Sequence, residues 1–195
     1  MKKLMIIALM AVATLTAGAQ NTLRENGSFT IQPKVGLATG IFSGSFEGFG
    51  TTKTKNGFTC GVEGEYYFAP KFSAALGVNY AEQGWMMEYP DDPTEKVKLN
   101  YVNVPLVANF YVSKGLAVKA GVQLGFLTSA KVNDLDIKDR CESTAISIPV
   151  GLSYEYENIV LDARYNINVT KVNKEGSKEQ RSDLLMVTLG YKFAL

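Results

Sequence analysis

Leu116-Ala117-Val118-Lys119-Ala120-Gly121-Val122-Gln123-Leu124-Gly125-Phe126 reads differently on its even and odd positions. Leu116, Val118, Ala120, Val122, Leu124 and Phe126 are apolar, whereas Lys119, Gly121, Gln123 and Gly125 are charged, small or amide-bearing. Such alternation is the repeat of a β-strand, whose successive side chains point to opposite faces, and not of a helix. Outward from this stretch the pattern recurs in about eight segments of roughly ten residues, a spacing typical of strands. Their apolar rows run over 29–37, 58–68, 72–80, 102–112, 116–126, 146–156, 159–169 and 185–193.

The connections alternate in length. Ala69-Pro70-Lys71, Ser113-Lys114-Gly115 and Glu157-Asn158 are tight hairpin turns, recurring every 43 or 44 residues. Between them lie long polar stretches around 40–56, 84–97, 130–143 and 171–182. Four long and three short connections describe an even-stranded up-and-down barrel with both chain ends at its short-turn rim. The fold class expected is all-β: an eight-stranded antiparallel up-and-down transmembrane β-barrel.

Two arrangements of the faces are open. A soluble lipocalin-like binder points its apolar rows inward and covers its exterior with charge, and a membrane barrel inverts this. Here the polar rows are mostly Gly, Ser, Thr, Asn and Gln with few charges, which suits an enclosed lumen. Their charges balance: Lys34, Lys119, Arg164 and Lys192 against Glu63, Glu65, Glu155 and Asp162. Balance lets buried ions pair inside a narrow barrel, where a lone one is costly. Gly36, Gly61, Gly77, Gly121, Gly125, Gly151 and Gly190 share that face and leave room for Tyr67, Tyr101 and Arg164. Eight strands enclose a space that side chains fill, so no open diffusion pore is expected. Rings mark the ends of the apolar rows, as the headgroup level favours: Phe68, Phe72, Phe110, Tyr154, Tyr156, Tyr191 and Phe193 near the short turns, and Phe58, Tyr80, Trp85 and Phe126 near the long loops. Pro33, Pro105 and Pro149 fall inside strands and must each forfeit a ladder bond, which bulges would absorb.

The N-terminus reads as an address. Lys2 and Lys3 precede an apolar run from Leu4 to Leu15 and an Ala17-Gly18-Ala19 cleavage site, the layout of a signal peptide over 1–19 with the barrel domain over 20–195. That run is too short to cross a bilayer as a helix. Twenty Lys+Arg against 19 Asp+Glu in 195 residues provide no polybasic surface, so nucleic acid is not an expected partner. The chain has no His. It therefore lacks the commonest general base and the commonest metal ligand, and Ser-His, Cys-His and Zn-His chemistry are excluded.

Several short pieces, in their order along the chain, resemble the outer-membrane β-barrel domain family of Bacteroidetes sometimes labelled PorT-like. They are Tyr80-Ala81-Glu82-Gln83-Gly84, Leu99-Asn100-Tyr101-Val102-Asn103-Val104-Pro105-Leu106, Ala120-Gly121-Val122-Gln123-Leu124-Gly125, Ala163-Arg164-Tyr165-Asn166 and Leu189-Gly190-Tyr191-Lys192-Phe193. The resemblance implies a small outer-membrane barrel, with a few relatives linked to protein secretion, and a proline within the fourth strand belongs to that pattern. One departure is the ending, where Phe193 is followed by Ala194 and Leu195.

Function is then expected in the loops: a non-enzymatic structural or interaction protein of the cell outer membrane, a monomer, without catalytic residues, metal or cofactor. Its partners are outer-membrane lipid and lipopolysaccharide and a protein met through extracellular loops. Other readings are a component of a secretion or transport complex, and the soluble periplasmic binder. The first long loop carries Phe42, Phe46 and Phe49 in a Gly-rich setting and is a candidate contact. Asp91-Asp92 and the Asp134, Asp136, Asp139 group lack the glycine spacing of a calcium loop and read as solvated surface. Cys60 has lipid-facing parity and Cys141 lies across the barrel, so a bridge between them is not expected.

Overall fold

A computed structural model describes residues 25–43, 51–54, 56–88, 95–132, 135–138, 142–170 and 181–195. Eight long strands follow one another: β1 (Phe29–Ser43), β2 (Asn56–Ala69), β3 (Phe72–Glu88), β4 (Glu95–Tyr111), β5 (Leu116–Val132), β6 (Thr144–Tyr156), β7 (Ile159–Asn168) and β8 (Arg181–Tyr191). Each pairs antiparallel with the next, and β8 returns to β1, with Val35 opposite Leu189, so the sheet closes into a barrel. Closure removes every edge of the main ladder. The three tight turns fall where the sequence places them, and Glu157 meets its two-residue turn with a left-handed φ of 54°.

The apolar rows face out. Leu37, Leu76, Leu106, Val122, Leu152, Leu161 and Leu189 are all exposed, while Lys119, Asn79 and Arg164 on the alternate positions are buried. This inverts a soluble binder, whose apolar rows would meet in the centre, and it removes the lipocalin-like reading. Along β5 the outward apolar stretch covers 116–126, which matches the roughly 9–11 residues a tilted strand needs to cross a bilayer. Rings border this band at the short-turn end, where Phe72 packs on Phe110 at 4.8 Å and Tyr191 on Phe193 at 4.7 Å between centroids. Phe58 and Phe126 are exposed at the other end, and the side chain of Trp85 lies outside the described residues.

Two expectations need correction. The strands outrun the apolar rows: β3, β4 and β5 are each 17 residues long, taking in Gly84–Glu88, Glu95–Val97 and Ala130–Val132, which the sequence reading assigns to loops. Backbone pairing continues above the band because hydrogen bonding does not require apolar side chains. Short added strands extend this tall side, Thr51–Thr54 pairing with β3 and Leu135–Asp136 with β5.

The prolines, in turn, are not absorbed by bulges. Opposite Pro105 the β3–β4 ladder stops at Leu76–Leu106 and resumes at Asn79–Asn103 in the same register. Opposite Pro149 the β5–β6 ladder stops at Ala120–Val150 and resumes at Gln123–Ser147, and beside Pro33 the β1 pairing passes from Lys34–Gly190 to Ile31–Phe193. A strand residue directs its N–H and C=O toward one neighbour, so the missing donor removes rungs on one side only. On the other side Pro33 stays opposite Val62, Pro105 opposite Gln123 and Pro149 opposite Asn166. Register shifts occur elsewhere, at Tyr67/Ala69 and at Asn100/Tyr101.

Candidate functional site

Inside the barrel, inward glycines let neighbouring strands and long side chains approach. A Cβ on Gly121 would collide with the Leu106 carbonyl, one on Gly36 with the Val187 carbonyl, and one on Gly77 with the Glu63 side chain. The space so left is filled by charge. All eight ionisable residues of the polar rows lie in the lumen, none more than 8% exposed, and they gather in two adjoining groups.

Near mid-barrel, Arg164 sits between two carboxylates. Its Nη1 and Nη2 donate to Glu63 Oε1 and Oε2 at 2.6 and 2.7 Å, and Nη2 donates to Asp162 Oδ2 at 2.9 Å. Each carboxylate also holds a lysine, Lys34 on Glu63 and Lys119 on Asp162, both at 2.5 Å. Bidentate guanidinium–carboxylate pairing is among the stronger charge-assisted contacts, and Arg164 makes it across strands β2 and β7. Three cations meet two anions here.

The second group lies at the short-turn rim. Lys192 Nζ donates to Glu155 Oε2, Tyr67 Oη and Tyr111 Oη, each at 2.9 Å, and lies 2.8 Å from Glu65 Oε2. Tyr111 and Asn109 donate to Glu65 Oε1 at 2.7 and 2.8 Å, and Ser73 donates to the same oxygen. The Tyr67 and Tyr111 rings stack at 5.8 Å, with the ammonium 5.6 and 5.5 Å from their centroids. One cation meets two anions, which complements the surplus cation of the first group. Asn158 fastens the same segment by its backbone: its carbonyl accepts from Lys192 N–H at 2.8 Å and its Nδ2 donates to Lys192 O at 2.9 Å.

Above the charges comes a layer of amides and hydroxyls, Asn79, Asn103, Gln123, Ser147 and Asn166, of which all but Asn79 line a cavity of about 20 Å³, room for about one water. Toward the long-loop end the interior turns apolar. Val97, Leu99, Tyr101, Leu127 and Ala130 form one buried cluster, and Ala38, Ala81, Leu184 and Met186 another. Among the described residues, charged, polar and apolar layers thus succeed one another along the lumen.

Reading strand parity puts the eight charges, and Ser73 with them, on one face but does not group them, and it misses Tyr111 and the apolar cap. Tyr111 was reachable, since it follows Asn109 at the inward spacing. Of the loop contact, Phe42 is the last residue but one of β1, with its side chain outside the described residues, and Phe46 and Phe49 lie wholly outside them. Asp91, Asp92, Asp134, Asp139 and Cys141 also lie outside them, and Cys60 is a free, half-buried thiol.

A closed eight-stranded barrel with an apolar exterior and a charge-paired interior defines a small integral protein of the bacterial outer membrane. The outer membrane protein beta-barrel domain family matches residues 18–174, and the chain belongs to that family. No curated protein matches its sequence. Its fold is similar to that of Ail, the attachment invasion locus protein of Yersinia pestis, with a TM-score of 0.54 at 18% identity over 86% of this chain and 99% of that one. It is also similar to Neisserial surface protein A, with a TM-score of 0.53 at 22% identity over 85% and 97%. The protein is located in the outer membrane.

Proposed function

We propose that this chain, exported by a signal peptide over 1–19 and of the Bacteroidetes PorT-like kind, is a non-enzymatic structural or interaction protein. The lumen charges Lys34, Glu63, Glu65, Lys119, Glu155, Asp162, Arg164 and Lys192 are its internal brace, and the contacts it makes are carried by the long-loop end facing the cell exterior. The observation that supports this reading is the layered interior: among the described residues charge, amide and apolar layers succeed one another, and the cavity in the amide layer has room for about one water. A barrel so filled offers nothing for solutes to pass through, and what it presents to the exterior is the long-loop rim. The tall β3–β5 wall with its added strands enlarges the surface presented there.

The test is twofold. Reconstituted in planar bilayers, the protein should show no steady single-channel conductance, and in cells it should resist carbonate extraction while heat shifts its electrophoretic mobility. A steady large conductance overturns the brace, and recovery of a partner by crosslinking from the long-loop end identifies the contact.

A further inference from the structure

The cavity in the amide layer lies where two ladders resume. Asn79–Asn103 is the first rung above the Pro105 gap and Gln123–Ser147 the first above the Pro149 gap, and Asn166 stands opposite Pro149 itself. Missing rungs draw neighbouring strands together less firmly, and Gly125, opposite Asn103, puts no side chain into the space. The walls are polar and withdrawn from bulk solvent: of Asn103, Gln123, Ser147 and Asn166, which all line the cavity, none is more than 5% exposed.

Two of these side chains end in unserved atoms. Among the described residues, Asn103 Nδ2 and Asn166 Oδ1 are buried without a hydrogen-bond partner. The Asn166 amide is oriented by its own Nδ2, which donates to Leu184 O at 3.3 Å and to Met186 Sδ at 3.4 Å and so leaves Oδ1 as the unserved end. A buried amide group left unpaired costs its full desolvation. One orphan is a donor on β4 and the other an acceptor on β7, and this opposite sense decides what can serve both. An anion accepts from Asn103 but meets the Asn166 oxygen and the carboxylate of Glu142, which also lines the cavity. A cation is drawn to those oxygens but meets the Asn103 amide protons, and the group just below, three cations to two anions, repels it. A water accepts from one orphan and donates to the other. Gln123 Nε2 donates to Ser147 Oγ at 3.2 Å, which leaves Gln123 Oε1 for the water's second proton. About three hydrogen bonds are the usual complement of a buried water.

We propose that this cavity is a binding site for one internal water, which accepts from Asn103 and donates to Asn166 and Gln123. The water ties β4 to β7 one layer above the point where Arg164 ties β2 to β7. It is a fixed part of the amide layer and no step in a solute path, and its place does not depend on which end of the barrel faces the exterior.

The experiment measures magnetisation transfer from water to the side-chain amide protons of Asn103 and Gln123 by NMR, on the full-length barrel in detergent micelles. The wild type should show cross-relaxation at both amides with the sign of a long-lived bound water. Leucine is close to asparagine in shape and offers neither donor nor acceptor, so Asn166→Leu should abolish the transfer at Asn103 and Gln123, and Asn103→Leu should abolish it at Gln123. Ser147→Ala should keep it, because the three bonds to the water remain. Crystals grown with rubidium or with bromide should show no anomalous peak in the cavity. Heat-dependent mobility checks that each variant is folded; if a leucine variant does not insert, the wild-type transfer and the two ions still decide. Absence of cross-relaxation at both amides of the wild type, its persistence in a folded leucine variant, its loss in Ser147→Ala, which marks relay through the hydroxyl proton, or a rubidium or bromide peak in the cavity overturns the proposal.

Discussion

Arg164 and Glu63 allow the brace to be tested quantitatively. In the wild type Lys34, Arg164 and Lys119 share Glu63 and Asp162, three cations to two anions. Glu63→Gln leaves three buried cations with one carboxylate and strips Arg164 of two short contacts. Breaking a buried pair from one side costs about 3–5 kcal/mol, because an uncompensated charge remains. Arg164→Met is different: Glu63 keeps Lys34 and Asp162 keeps Lys119, each at 2.5 Å, so the group becomes neutral and only the guanidinium contacts are lost. That loss is about 2–3 kcal/mol, since hydrogen bonds to charged groups are worth about 1.5–3 kcal/mol each and the lysines compensate in part. Combining the two substitutions restores the wild-type net charge of the group, so the double variant should fall short of the sum of the singles by more than about 1 kcal/mol. Denaturant unfolding in detergent micelles, followed by heat-modifiable mobility and by tyrosine fluorescence, measures all four corners of the cycle. The reasoning is refuted if Glu63→Gln is no more damaging than Arg164→Met, or if the two effects simply add.

Other parts of the barrel lend themselves to the same unfolding assay. Leu76→Arg, outward in the middle of β3, should cost about 2–4 kcal/mol and Thr39→Arg, above the band on β1, about 1 kcal/mol or less; equal costs would contradict the placement of the bilayer. Lys192→Met removes the cation that Glu65 and Glu155 share at the rim and should lower stability by about 3–5 kcal/mol, with faster amide exchange at Phe193–Leu195, while Lys192→Arg should recover part of the loss. Gly121→Val drives a Cβ into the Leu106 carbonyl and should prevent insertion, whereas Gly125→Ala meets first the end of the Asn103 side chain, at 2.7 Å, and should give a folded but weakened barrel. If the two glycine variants insert equally well, the close strand approach at Gly121 is not required.

Period-two alternation is a local property, and it was enough to specify by itself the strands, the short-turn rim, the outward rows and the inward charges. It carried this far because each strand is wetted by one medium on each face, so every side chain reports its side. Pairing is not local. Which carboxylate meets Arg164, where Lys192 finds its tyrosines and how far β3–β5 rise above the band depend on strands that are distant in sequence and brought together only by closure. The same holds for the prolines, whose missing donors remove rungs without moving the register, and for Thr128, the extra residue on β5 where Tyr101 faces Leu127 but Asn100 faces Ser129. Nothing in Leu127-Thr128-Ser129 announces a bulge, yet that one added residue decides that Lys131 faces the lipid side instead of the lumen, because alternation restarts from whichever rung the partner strand supplies.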